Sequence, residues 1–268
     1  MAILAKQRQS SSHWYTRGGE PAHKQPKANG GGLRPTTLAD ARKKSLIPSV
    51  TTITGTMAKP TLERWKLNQV ALTAYESRPT EDEAADYYCK RIVSQSMEST
   101  DEAATFGTEV HDALEKMFAE GIEPPEELAV YCQPVKNWFA EKGLQFIEAE
   151  KRLVNIKEGY AGMTDIIARG KEGQAAIIDW KTRKTRERQK VKPYDWQPEQ
   201  IAAYAAAYWG EEAVLAGQVT GANVFISSTE PGRMDAWPYS GTQIKKSYEI
   251  FLKINALWRY MKGYDPRG

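Results

Sequence analysis

Three β-type segments follow one another in the middle of the chain, at residues 146–154, 160–169 and 175–181. The turn-forming Gly159 and the stretch 170–173 separate them, which is the pattern of successive antiparallel strands. Helical sequence precedes and follows these strands, and a further strand is expected after them. This order predicts an α/β fold (α+β mixed) in which helices flank a central mixed sheet.

Apolar periodicity predicts the remaining elements. Helices are expected from Thr61 onward and over 81–96, 102–119, 126–142, 197–209 and 241–261, with the further strand at 222–227. A glycine pair, a glycine triplet and scattered prolines occur before residue 45, where we predict an arm with at most a short hairpin. The main domain is expected to occupy residues 46–268, with a largely helical part over 46–145 and the sheet core and last helix over 146–268.

Positive charge is concentrated in two stretches. The arm, residues 1–45, holds nine Lys or Arg against two Asp or Glu, and the stretch 181–192 holds seven cations against Glu187 alone. Such runs attract polyanions, although a solvated surface is their more common role. We expect the second stretch to contact nucleic-acid phosphates through the following residues: Arg183, Lys184, Arg186, Arg188 and Lys190.

Composition limits the other classes of protein. The hydrophobic fraction of 41% can fill a core, and no run approaches the roughly 18 to 20 apolar residues of a membrane span. The first five residues are too short for the apolar centre of a signal peptide, and the spacing of Cys89 and Cys132 fits no disulfide or metal framework. We therefore expect a cytoplasmic protein that contacts no membrane.

Asp179 and Lys181 are the strongest candidates for chemistry. Strand alternation places both on one face, and the turn at 170–173 would bring Asp165 almost opposite Asp179. Two neighbouring carboxylates favour a cation between them, and hard oxygen ligands suit Mg²⁺ or Mn²⁺. Lys181 would then orient water and offset charge on a phosphate. The alternative is a surface salt bridge on an edge strand, but an acid inside an apolar strand requires a partner or an ion.

Two further candidates lie on predicted helices. His111 shares a helix face with Gly107, where glycine permits close approach of another backbone, and imidazole is a suitable third ligand that tolerates Mn²⁺. Gln200 and Tyr204 also share a face, from which Gln can bond a water or a base edge and Tyr can contact a phosphate or stack. A partly buried histidine and an ordinary amphipathic helix are the alternatives.

Taken in order, four motifs resemble the series of the RecB-like nucleases in the PD-(D/E)XK superfamily. They are Gly107-x-x-x-His111, Gly162-x-x-Asp165, Asp179-x-Lys181 and Gln200-x-x-x-Tyr204. The resemblance implies a restriction-endonuclease-like core and a metal held by His111, Asp165, Asp179 and the carbonyl of Trp180. It also implies catalysis by Lys181, with Gln200 and Tyr204 supporting the site.

The segments 47–53 and 62–66 are similar to the entry region of mitochondrial genome maintenance exonucleases and related phage exonucleases. That similarity implies a Mg²⁺- or Mn²⁺-dependent exonuclease acting on single-stranded DNA or DNA ends, in phage recombination, DNA degradation or repair, with a single-strand-binding or recombination protein as a possible partner. Trp14, Tyr15 and Trp65 are stacking platforms or core residues. Glu150 lies where relatives often carry an acid, and a structural role is equally compatible.

Two alternatives stay open: a structure-specific or flap endonuclease of the same fold, and a non-catalytic DNA-binding recombination partner. Relatives with an iron–sulfur cluster carry four cysteines that this chain lacks, so no cluster is expected. No phosphate-binding loop is present either, because the triplet 30–32 lacks the following Lys-Ser/Thr, and no ATP is expected. A serine hydrolase is excluded by the absence of Gly-x-Ser-x-Gly.

Overall fold

The computed structural model describes residues 13–267, with the backbone alone for residues 98–103. The first part of the described chain contains β1 (Trp14–Tyr15), β2 (Lys24–Pro26), β3 (Leu33–Pro35), α1 (Leu38–Lys44), β4 (Ile47–Pro48) and α2 (Val50–Thr54). Three helices follow: α3 (Pro60–Glu76), α4 (Ala85–Ala119) and α5 (Glu126–Glu141). The rest is β5 (Gln145–Asn155), β6 (Tyr160–Arg169), β7 (Ala175–Arg183), α6 (Gln197–Trp209), α7 (Glu211–Leu215), β8 (Val219–Ser227), β9 (Met234–Tyr239) and α8 (Gly241–Lys262).

A five-stranded mixed sheet in the order β5-β6-β7-β8-β9 forms the centre of the molecule. The pair β7–β8 is parallel and the other pairs are antiparallel. The three predicted consecutive strands and the later fourth one are confirmed as β5 to β8. Sequence analysis missed β9, whose Asp235 and Pro238 are unusual in strands and are tolerated because β9 is the edge strand.

Helices cover both faces of the sheet, as predicted. On one face α6 and α8 pack against Ile167 and Ile177, and on the other α4 and α5 pack against Ile166 and Ile178. Consecutive residues of β6 and β7 therefore enter different cores, which the alternation of a strand requires. The alanine-rich α6 lies close to the sheet, and Gly221 leaves room for the Ile201 side chain there. Among the described residues, no helix combines the length and the apolar character needed to cross a membrane.

The segments 81–96 and 102–119 were predicted as two helices, and they form the single 35-residue helix α4. No glycine or proline lies between the two predicted helices, so nothing in the sequence interrupts the backbone hydrogen bonds there. The C-terminal part of α4, which includes Val110 and Leu114, is buried against the sheet. The helix is therefore long enough to extend beyond the sheet while its C-terminal part carries His111.

Part of the predicted arm packs on the domain. The first 12 residues lie outside the described part of the chain, and the boundary at residue 45 stays a prediction. Within 13–45, β2 and β3 form the short hairpin that was expected, and β1 pairs with β4. Trp14 is 2% exposed and packs against Trp258 and Tyr264, with ring centroids 6.1 and 6.2 Å away. Trp14 and Tyr15 are therefore core residues and not stacking platforms.

We predict that Trp14→Ala lowers the free energy of unfolding by about 3–5 kcal/mol, the usual cost of removing a buried aromatic side chain. Urea unfolding followed by fluorescence and circular dichroism measures the change. The matched control is Trp65→Ala, because Trp65 is 41% exposed on α3, a helix without buried residues. An effect of Trp14→Ala as small as that of the control would contradict the packing.

Candidate active site

Three acids lie in a row across neighbouring strands. Glu150 falls between the register pairs Ala149↔Ile166 and Lys151↔Thr164, so it is opposite Asp165. The ladder between β6 and β7 ends at Ile166↔Ile178, one residue before Asp165 and Asp179. The expected opposition of Asp165 and Asp179 thus agrees with the register, and Glu150 extends the row by one strand.

The strands β6 and β7 part at this row. Beyond Ile166↔Ile178 the backbone ladder is replaced by a side-chain contact, because the N–H of Trp180 donates to Asp165 Oδ2 at 2.7 Å. This hydrogen bond satisfies a backbone donor that the parted strand would otherwise leave without a partner. It also fixes one oxygen of Asp165, so the other oxygen is available on the opposite side of the carboxylate.

His111 joins the acids from α4. Its Nδ1 lies 3.8 Å from Asp165 Oδ1, and His111, Glu150 and Asp165 each offer a donor atom within 4.8 Å of the other two. The three line a cavity of about 400 Å³ between α4 and the sheet. The helix approaches closely at Gly107, where a Cβ would lie 2.8 Å from Thr182 Oγ1. The neighbour of Gly107 is therefore a side chain, not the backbone that the sequence suggested.

Glu150 is held in an unusual state. Its φ of 46° lies in the left-handed region that non-glycine residues rarely adopt. Burial and, after it, the nearby carboxylates of Asp165, Glu115 and Asp112 raise its pKa to about 7. Strain and charge repulsion together mark a site that favours a bound cation.

The buried Asp179 forms an ion pair with the partly exposed Lys181 on the face of the sheet that α6 covers. Lys181 Nζ donates to Asp179 Oδ1 at 2.6 Å, and Asn223 Nδ2 donates to Asp179 Oδ2 at 2.8 Å. Tyr239 fixes Asn223 in turn by donating to its Oδ1 at 2.7 Å. Burial raises the pKa of Asp179 and Lys181 opposes that shift. Burial alone would lower the pKa of Lys181, but the Asp179 and Asp165 carboxylates raise it, so the amine stays charged.

Gln200 and Tyr204 support Asp179 from α6. Gln200 Nε2 lies 3.2 Å from the Tyr204 hydroxyl and 3.5 Å from Asp179 Oδ1. Both side chains are buried, at 8% and 3% exposed. Tyr204 therefore has little exposed surface for contact with a phosphate or a base, and such contact stays a prediction. The pair can act by holding Asp179 in place.

The position of Tyr204 explains why the motif Gly162-x-x-Asp165 begins with glycine. A Cβ at Gly162 would lie 2.6 Å from Tyr204 Cε1 and 3.0 Å from its hydroxyl. A tyrosine ring is rigid and this one is buried, so the ring must move to admit a methyl group. The glycine thus permits the Tyr204–Gln200–Asp179 arrangement.

We predict that Gly162→Ala destabilises the protein by about 1–3 kcal/mol, as overpacking of a core does. Urea unfolding measures the effect, and Gly18→Ala is the control because the nearest atom to its Cβ would be 3.8 Å away. The double variant Gly162→Ala/Tyr204→Ala should cost less than the sum of the two single changes, since removal of the Tyr204 ring relieves the clash that the added Cβ at Gly162 creates. Strict additivity would show that the contact with Tyr204 carries no energy.

The predicted metal ligands separate into two groups. His111 and Asp165 lie together with Glu150, whereas the Asp179 carboxylate contacts Lys181, Asn223 and Gln200. Sequence analysis noted Glu150 without assigning it and missed Asn223. A polar residue inside the apolar strand 222–226 was the available signal for Asn223, by the same reasoning that identified Asp179.

The basic stretch after β7 is a loop with its cationic side chains at the surface. Lys184, Arg186, Arg188 and Lys190 are exposed and Arg183 is partly buried. Arg233 fixes the loop by donating to the carbonyl oxygens of Arg186 and Gln189 at 2.9 and 2.5 Å. A fixed loop holds these charges beside the end of β7, and their contact with nucleic acid stays a prediction.

The fold and the site together have the layout of a nuclease. The family model of the PD-(D/E)XK nuclease superfamily matches residues 83–262, so the chain belongs to that superfamily. The match spans all four sequence motifs and supports a nuclease enzyme, and the RecB-like branch stays a prediction. A solved structure titled "Crystal structure of SSO0001" is similar at 14% identity over 72% of this chain and 86% of that chain, with a TM-score of 0.30. None of the curated proteins compared with the sequence matches it.

Proposed function

We propose that the chain is a Mg²⁺- or Mn²⁺-dependent deoxyribonuclease that removes nucleotides from single-stranded DNA or DNA ends by phosphodiester hydrolysis. The observation that carries the proposal is the convergence of donor atoms from His111, Glu150 and Asp165 within 4.8 Å. The charged amine of Lys181 lies on the strand next to this group.

The donor set fits a divalent metal. Two carboxylates and one imidazole are ligands that Mg²⁺ and especially Mn²⁺ accept, and burial together with the neighbouring carboxylates raises the pKa of Glu150. Asp179 and the carbonyl of Trp180 are further ligands in this proposal. When bound, the ion supplies activation of water and neutralisation of charge at the phosphate.

The side chains of the site have separate tasks. Lys181, kept protonated by its carboxylate neighbours, offsets the negative charge that develops on the phosphate oxygens. Asp179 orients Lys181 and is itself held by Asn223 and Gln200. This preorganisation means that the amine need not reorganise when the substrate binds.

DNA as substrate follows from the superfamily and from the exposed basic loop. The preference for ends is proposed because the resembling relatives without a helicase act on ends, and no phosphate-binding loop is expected in this chain. Trp65, 41% exposed on α3, is a candidate to stack on an unpaired base. We place the protein in the cytoplasm and in DNA recombination, degradation or repair, where a single-strand-binding or recombination protein is a plausible partner.

The test compares end-labelled linear single-stranded DNA with a covalently closed single-stranded circle, each with Mg²⁺, Mn²⁺ or EDTA. We expect metal-dependent release of short products from the linear strand, no reaction in EDTA, and persistence of the circle. Rapid cutting of the circle would reject an obligatory exonuclease and favour an endonuclease. DNA binding without any cleavage would reject the nuclease function.

A further inference from the structure

Four side chains form a stack beside the candidate active site. The rings of Tyr194 and Trp196 are stacked, with centroids 4.8 Å apart and planes inclined by 13°. Arg183 lies over Tyr194, with its guanidinium carbon 4.0 Å from the ring centroid, and Lys59 Nζ lies 4.3 Å from the Trp196 centroid. The order is Arg183, Tyr194, Trp196, Lys59, and the guanidinium carbon of Arg183 also lies 5.3 Å from the centroid of the buried Phe225 ring.

The closed stack determines what the four residues can bind. A nucleic-acid base stacks on an aromatic ring through a free face, but here each ring has the other ring on one side and a cation on the other. Cation–π attraction of about 0.5–2 kcal/mol per pair instead holds the two long cationic side chains in defined positions. The stack therefore presents fixed positive charges, and the faces of both rings are occupied although Tyr194 is 39% exposed.

Both cations lack an acidic partner. Among the described residues, neither Lys59 nor Arg183 has a carboxylate oxygen within the 4.0 Å of an ion pair. Arg183 donates one hydrogen bond, to the carbonyl oxygen of Lys192 at 2.6 Å, and its remaining donors are available. Burial lowers the pKa of Lys59, the nearby Lys66 adds to that shift and Glu63 opposes it, which agrees with an ammonium group that is partly removed from water.

The stack begins on β7, the strand that carries Asp179 and Lys181. Arg183 is two residues beyond Lys181 on β7, so it projects to the same face about 7 Å further along. From Arg183 the stack leads to Lys59 at the start of α3, beside a cavity of about 270 Å³ that Lys192 also lines.

We propose that Lys59 and Arg183, held by the Tyr194–Trp196 pair, form a phosphate clamp that receives the DNA backbone next to the scissile bond. The clamp rests on the proposed nuclease function and adds how the strand is positioned. Because it holds phosphates and not bases, it binds without sequence preference. Lys59 lies before the matched residues 83–262, so the family match does not assign it a role.

The test is the binding of a short fluorescent oligodeoxythymidylate, measured by anisotropy in EDTA at several salt concentrations. Lys59→Gln is expected to weaken binding roughly tenfold at low salt, the value of one charge-assisted contact. It should also reduce the slope of log affinity against log salt by about 0.7, one phosphate contact on a single strand. Lys59→Arg should retain binding, and Trp196→Leu should weaken it without changing the charge of the protein.

Lys136→Gln is the matched control, because Lys136 is an exposed lysine on α5 that is paired with Glu123 at 2.6 Å. Its binding and salt slope should equal those of the wild type, and melting temperatures check that each variant folds. An unchanged salt slope in Lys59→Gln overturns the clamp. The clamp is also overturned if Lys59→Gln still binds the oligodeoxythymidylate strongly while the wild type fails to bind an abasic strand, because that result would indicate base stacking. If Lys59→Gln weakens binding as expected but the wild type never cleaves DNA, the nuclease function is rejected and the clamp is retained.

Discussion

Replacing Lys181 by methionine is expected to lower the rate of DNA cleavage by about 10²–10³-fold, the usual cost of removing one donor that stabilises transition-state charge. Methionine retains the length of the side chain but not the amine, which lies 2.6 Å from Asp179 Oδ1. DNA binding should change little, because the clamp and the basic loop remain. Single-turnover cleavage at saturating DNA measures the chemical step, and anisotropy measures binding.

The control is Lys142→Met, which removes an exposed lysine paired with Glu141 at 2.9 Å. This variant should cut at the wild-type rate. Loss of Lys181 also leaves the buried Asp179 without its cation, so the melting temperature must be measured beside the rate. A Lys181→Met protein that is folded, binds DNA and cuts at the wild-type rate would remove Lys181 from the catalytic machinery.

Much of the fold could be predicted because it depends on local sequence signals. The turns at 159 and 170–173 and the alternation of the three strands were sufficient to predict β5, β6 and β7, and they even place Asp165 and Asp179 in register. The edge strand β9 was missed because its sequence carries weak strand propensity and forms by pairing with β8. Such pairing is a tertiary effect that propensity does not contain.

The site was predicted in part for a similar reason. Motif spacing predicts that Gln200 and Tyr204 share a helix face, and their hydrogen bond agrees with it. The pairing of Glu150 with Asp165 depends on the register between β5 and β6, and the contact of Asn223 with Asp179 depends on the parallel pair β7–β8. The phosphate clamp depends on contacts over still longer sequence separations, because Lys59 and Trp196 come from distant segments.

The row of acids joins two groups of side chains, one around His111 and one around Lys181. These two groups differ in their net charge. On one side His111, Glu150 and Asp165 have two carboxylates and no strong cation within their group. On the other side Asp179 already has the Lys181 ammonium as its counter-charge. A divalent ion therefore gains most by binding where the acids lack a cation, and the stability of the protein should report that binding.

Mn²⁺ is expected to raise the melting temperature, and Asp165→Asn is expected to abolish this rise together with DNA cleavage. Saturation to 100 times the dissociation constant stabilises a protein by about 2.7 kcal/mol, which corresponds to roughly 5–10 °C for a chain of this size. Asparagine can still accept the Trp180 N–H but lacks the charge that attracts the ion. Glu123→Gln, which alters an exposed acid paired with Lys136, should keep the full rise.

The pH dependence of this rise tests Glu150 separately. Its pKa of about 7 in the folded protein exceeds the ordinary value of 4.5, so without metal the carboxyl retains a proton that the unfolded chain has lost. Stability without metal should therefore fall as the pH increases from 4.5 to 7 and then level off. Mn²⁺ must displace that proton, so its stabilisation should increase between about pH 6 and pH 8. Glu150→Gln has no proton to displace at this position and should show a smaller rise with a weaker pH dependence, whereas a wild-type pH profile in this variant would place the ion elsewhere.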